Sequence, residues 1–189
     1  MKLQITLTGD GPMLMHAERL ANPLDDLVIQ MKEITSKRKK TEQDMAALAR
    51  LEFEGGLYLA GDAGPCIPTW NIKKCFVEGG RINKLGKHIE RAMALIDQDA
   101  ILVYAGPRDV DGLWAAKFYD MRSVKVGTSK VTRCRPRFAN WTASFLVELD
   151  DSIINVHEFE AIAERAGRMV GIGDFRQRYG RFTVEMEAA

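Results

Sequence analysis

Cysteine and histidine are scarce in this chain, and long apolar runs are missing. Its three cysteines, Cys66, Cys75 and Cys134, include no C-x-x-C pair. That excludes a zinc-knuckle or thioredoxin-type motif and predicts reduced thiols inside a core. His16, His88 and His157 stand alone, so no metal-ligand spacing exists. No stretch approaches the roughly 18 apolar residues that a membrane span requires. The opening residues, MKLQITLTGD, lack the basic-then-apolar order of a secretory signal. These absences predict a cytoplasmic protein with no cofactor, no metal, no disulfide and no membrane contact.

What is present is ordinary in bulk and uneven in detail. At 189 residues, 46% hydrophobic and 28% charged, the chain suits one domain carrying large inserts. Its net charge of +1 hides a division. Residues 117–137, KFYDMRSVKVGTSKVTRCRPR, carry +6, which leaves −5 on the remainder. A basic insert on an acidic body points to a polyanion. The plainer reading is a solvated hairpin with cationic edges that block aggregation.

Periodicity places the elements. Leu3, Ile5 and Leu7 alternate with polar residues, predicting a half-buried strand at 2–8. Residues 25–37 and 41–54 read as helices split by the charge run SKRKK, with Thr41 and Asp44 as an N-cap pair. The spacing of Ile72, Cys75 and Phe76 predicts a helix over 69–79, with Thr69 as its cap. A further helix at 84–96 and a buried strand at 100–104 follow. The basic segment reads as two strands joined at VGTSK, and Pro136 confines the second to an edge. Residues 141–149 form the longest strand candidate. Asn155 caps a helix over 155–169, and 181–187 alternate as a last strand.

Without the inserts the order is βαββαβ, an α+β arrangement of the ferredoxin-like or RRM-like kind. A helical insert of about residues 9–66 follows strand 1. A second insert, about 105–140, holds the basic β-hairpin between strands 2 and 3. The whole is expected to be one RRM-like domain, 1–189.

Two segments carry chemistry. GIGDFRQRYGRF, residues 171–182, fits neither a P-loop nor a dinucleotide turn, because it runs from helix to strand and has Arg176 where the third glycine belongs. Its glycines allow positive φ, but a tight connection does not need Arg176, Arg178 and Arg181. Those guanidiniums suit a sugar-phosphate backbone, and Tyr179 suits base stacking. In the hairpin, Arg133, Arg135 and Arg137 have period 2 and share one strand face, while Arg122, Lys125 and Lys130 add charge nearby. A row of cations about 6–7 Å apart matches the phosphates of an extended single strand. The competing account of that row is a set of surface salt bridges.

At residues 67–74, IPTWNIKK, the chain resembles the RAMP superfamily, which includes the backbone subunits of CRISPR effector complexes. Those proteins begin their first core helix with a pattern like I-P-x-S-S-I/L-K-G, and Ile67, Pro68, Ile72 and Lys73 fall on it. Lys74 stands where the glycine would be, Trp70 and Asn71 replace the small polar pair, and the following arginine is missing. The glycine-rich loop before the last strand and the basic insert between strands 2 and 3 also resemble that family. The resemblance implies RNA binding in a head-to-tail filament, with Lys73, Arg176, Arg178 and Tyr179 on the RNA path and the hairpin arginines reaching a neighbouring segment. The small size suggests a stand-alone, phage-borne relative.

The resulting expectation is a non-catalytic binder of single-stranded RNA or DNA that self-associates. Two alternatives compete with it. The first is a metal-independent endoribonuclease, implied by RAMP relatives that cleave RNA with histidine, in which His16 is the general base. The second is a virion or assembly protein whose arginines meet acidic protein surfaces.

Overall fold

The computed structural model describes residues 1–176 and 178–189, without the side chains of Val126 and Ser129. The chain is α+β and divides into two compact units. The first comprises Met1–Met13, Leu59–Ala105 and Ala139–Ala189; the second, Leu14–Tyr58 and Gly106–Phe138.

The first unit is built on β1 (Lys2–Gly9), β3 (Cys66–Pro68), β4 (Met93–Leu95), β5 (Asp99–Val103), β8 (Thr142–Leu149) and β9 (Phe182–Ala188). Their order is β3-β5-β8-β1-β9, with β4 also beside β8. β1 runs antiparallel to both neighbours, with Ile5 opposite Phe145 on one side and Met186 on the other. The alternation read in β1 holds: Leu3, Ile5 and Leu7 are buried, each contributing roughly 1.5–3 kcal/mol of transfer free energy. They join the buried stripes of α3 (Thr69–Arg81) and α6 (Val156–Met169), where Phe76 meets Phe159 edge-on at 5.9 Å. α3 and α6 approach closely at Gly79, where a Cβ would stand 2.7 Å from that of Ala166.

Asn155 caps α6 as expected, accepting from Glu158 N–H at 2.9 Å. Thr69 does not cap α3. It is the first helical residue, and its hydroxyl donates to the Asp97 and Gln98 carbonyls at 2.6 and 3.0 Å, tying the helix to the segment before β5. The expected helix over 84–96 is shorter: α4 spans Gly86–Ala92, and Met93–Leu95 pair with β8 instead. Tertiary pairing overrides local propensity there, because the β8 edge beside Leu149 offers Met93 a ladder and a buried site.

The second unit holds α1 (Asp26–Thr35), α2 (Glu42–Gly56), α5 (Val110–Ala115), β6 (Tyr119–Val126) and β7 (Ser129–Phe138). Thr41 and Asp44 form the expected reciprocal cap of α2, with bonds of 2.9 and 3.1 Å. Phe53 of α2 packs against Trp114 and Tyr119 at 5.2 and 6.2 Å between ring centres. Pro136 does not put β7 at an edge. β7 is the middle strand of a sheet ordered β2-β7-β6, where β2 is Met13–Leu14. The bond from Arg137 N–H to Phe118 O shows that position 136 turns its backbone away from β6. On that side only its carbonyl is used, accepting from Met15 N–H at 3.0 Å, so the missing N–H costs no rung.

Candidate nucleic-acid interface

The β6–β7 ribbon sorts its charges by face. Arg122 lies opposite Arg133, and Asp120 opposite Arg135, so Arg122, Arg133, Arg135 and Arg137 share one face with Asp120. Lys125 and Lys130 pair with each other nearer the turn, on the other face, where Cys134 and Phe138 are buried. Four arginines and two lysines therefore do not form one patch.

Two like charges directly opposite one another repel. The fold relieves the Arg122–Arg133 pair by giving each arginine its own carboxylate. Arg122 forks onto Asp120, with 2.6 Å between Nη2 and Oδ2. That guanidinium hydrogen bond, with the charges of Arg122 and Arg137, holds the Asp120 carboxyl below its usual range although burial opposes it. Arg133 donates to Glu52 of α2, whose side chain is only 6% exposed. The second Glu52 oxygen accepts the Cys134 N–H at 2.8 Å. Arg133 is thus ion-paired with a buried carboxylate of α2. Arg135 and Arg137 stay half-exposed on their face, and Arg135 also reaches the Cys134 carbonyl at 3.4 Å.

The glycine loop lies in the first unit. Gly171 (φ 73°) ends α6, its N–H returning to Ala166 O at 2.9 Å. Gly180 (φ 71°) closes the loop, since a Cβ there would stand 1.8 Å from Ile172 O. Ile172 N–H donates to Gly180 O at 2.8 Å, and Tyr179 N–H to Phe175 O at 3.1 Å. The Cys75 thiol donates to Gly171 O at 3.2 Å, and burial pushes its pKa up to about 12. Arg176 pairs with Glu78 of α3 at 3.0 Å, both side chains 47% exposed. Arg181 pairs with Asp10 at 3.3 Å, Arg178 is exposed, and Tyr179 is half-buried. Phe182 is buried. Exposed ion pairs contribute at most about 1 kcal/mol, so a phosphate can displace Glu78 from Arg176 at little cost.

Lys73 of α3 is half-exposed. Its ammonium donates to Met93 O at 2.6 Å and holds the end of α4. The exposed cations of α3 are its neighbours. Lys74 Nζ stands 3.5 Å from the centre of the Trp70 ring, which is 41% exposed. They line a groove of about 510 Å³ with Lys73, Val77, Glu78 and Arg81, so Glu78 links it to the glycine loop. Trp70 and Lys74 are candidates that the sequence alone did not single out. An aromatic followed at i+4 by a lysine on a helix was the signal available.

Base stacking on a sheet needs aromatic rings on the open face. Here β1, β8 and β9 present Gln4, Thr6, Ser144, Thr183, Glu185 and Glu187 there. Those positions hold no aromatic ring. His16 is exposed, and its carbonyl accepts from the Tyr58 hydroxyl at 3.5 Å. Among the described residues no three acidic, histidine or cysteine side chains gather as metal ligands, and no helix is long and apolar enough to cross a membrane. No protein-family model matches the chain, and no curated protein matches it.

Proposed function

We propose that this protein binds single-stranded nucleic acid, RNA foremost, without catalysis, and self-associates along the strand. The observation that carries the reading is the arginine face of the β6–β7 ribbon, where Arg135 and Arg137 lie half-exposed beside Arg122 and Arg133, which are paired with Asp120 and Glu52. The glycine loop supports it with Arg176 and Arg178 beside Tyr179, as does Trp70 with Lys74. The likeness to RAMP backbone subunits fits the same assignment. So does a ferredoxin-like core taken as β1-α3-β5-β8-α6-β9, whose strands neighbour in the order β5-β8-β1-β9.

Guanidinium rows read phosphate rather than sequence, so binding falls steeply with salt and depends little on base order. The test is fluorescence anisotropy with labelled single-stranded RNA, single-stranded DNA and duplex DNA across a salt series, with light scattering alongside. The expected order is RNA at least as tight as single-stranded DNA, and both above duplex. The double variant Arg135→Ala/Arg137→Ala weakens all three and lowers the salt slope by about 2. Arg133→Ala is a poor probe because it also strands Glu52. No binding at low salt by folded protein discards the proposal and leaves protein assembly as the account of the arginines.

A further inference from the structure

β9 ends the larger sheet, and nothing among the described residues pairs with its outer side. Bonds from Asp10 N–H to Arg181 O and from Ala189 N–H to Lys2 O bracket the β1–β9 ladder. Between them Thr183, Glu185 and Glu187 turn their backbone groups toward β1, and Phe182, Val184, Met186 and Ala188 turn theirs outward. α6 covers the first of these, since a Cβ on Gly167 would stand 2.1 Å from Phe182 O. From Val184 onward the rungs are open. The opposite end of the sheet offers no such edge, because β3 has three residues and finishes at Pro68.

The side chains beside this edge say what would pair there. Glu185 and Glu187 are exposed on the open face, and across β1 they meet only Thr6 and Gln4. No cation is paired with either among the described residues. On the α6 face, Val184 and Met186 alternate with them, beside a shallow groove of about 180 Å³ lined in part by Phe182 and Arg168. A strand added to β9 places its alternate residues directly opposite the two glutamates, about 4.5–5.5 Å away between Cβ atoms.

We infer that the β9 edge takes an extended peptide segment with alternating basic and apolar residues, from a partner protein, by strand addition. Backbone rungs at Val184 and Met186 supply affinity, and Glu185 and Glu187 select the basic residues. A second copy of β9 fits less well, because registers centred on Glu185 or Met186 set glutamate against glutamate.

The probe is a pair of labelled peptides of about seven residues, the length of β9, alternating lysine with valine or glutamate with valine. The lysine peptide is expected to bind and to slow amide exchange at Val184 and Met186, and the glutamate peptide is expected not to bind. Glu185→Lys/Glu187→Lys weakens the lysine peptide at least about tenfold and admits the glutamate peptide. Met186→Pro removes an outward N–H without touching the β1 ladder, so it abolishes binding while the melting temperature holds. If that variant does not fold, the charge reversal alone decides. No lysine-peptide binding, or binding indifferent to the charge reversal, overturns the inference. A wild-type dimer that Met186→Pro dissolves also overturns it, by seating a second copy on the edge.

Discussion

Removing the Glu52 carboxylate would strand two donors at once, the Arg133 guanidinium and the Cys134 N–H. A buried donor without an acceptor costs about 1–3 kcal/mol. Glu52→Ala is therefore expected to lower unfolding free energy by about 2 kcal/mol in urea. Glu52→Gln should recover part of that, because its amide oxygen still accepts. An unchanged midpoint for Glu52→Ala would show that α2 does not depend on this carboxylate to hold β7. The cysteines behave as a set at this scale too. Burial pushes Cys66, Cys75 and Cys134 each up to about 12, so almost no thiolate exists at about pH 8. Alkylation is expected to be negligible in the native protein and complete in denaturant. Fast native labelling of any of the three would contradict their burial.

At the scale of elements, the α2 cap and the glycine loop make separable predictions. The Lys37 ammonium and the Thr41 N–H hold Asp44 at about 2, below its ordinary value of 3.8. A depressed carboxyl stabilises the fold above its unfolded pKa and loses that contribution as pH falls through the folded value. The difference in melting temperature between wild type and Asp44→Asn should thus be constant above about pH 4 and shrink toward about pH 2. A difference that persists undiminished at the acid end would rule out the cap as its source. In the loop, Gly180→Ala meets a carbonyl as well as a positive φ, whereas Gly61→Ala, at φ 54°, meets nothing within 4 Å. The left-handed conformation alone costs about 1–2 kcal/mol, so Gly61→Ala should cost about that and Gly180→Ala clearly more. Equal urea midpoints would mean that the loop absorbs the methyl group without moving Ile172.

For the whole molecule, the elements with strong periodicity were legible in the amino-acid order alone. β1, α2, α6 and β9 stood out because each buries one face, and burial writes its own period into the residues. Short elements were not legible. β3 and β4 are three residues each, too few to show a period, and exist because β5 and β8 offer them ladders. The surroundings of the candidate site were half legible for a related reason. Composition located the arginines, but their partners lie far away in sequence: Glu52 is 81 residues from Arg133, and Glu78 is 98 from Arg176. Lys73 and Lys74 are adjacent, yet a helical step of about 100° sends one to Met93 O and leaves the other over Trp70.

The amino-acid order by itself determined that the segments of β1, α2, α6 and β9 become strand or helix, where α2 and α6 begin, and which strand face holds Arg133, Arg135 and Arg137. These follow from backbone sterics, side-chain caps and period, which act over a few residues. Only the tertiary structure decided that Pro136 lies in a central strand, that Lys73 reaches Met93 O and Arg133 reaches Glu52, and that nothing among the described residues pairs with the outer side of β9. Those outcomes depend on hydrogen-bond acceptors and strand neighbours brought together from distant parts of the chain, and no local pattern records which groups meet.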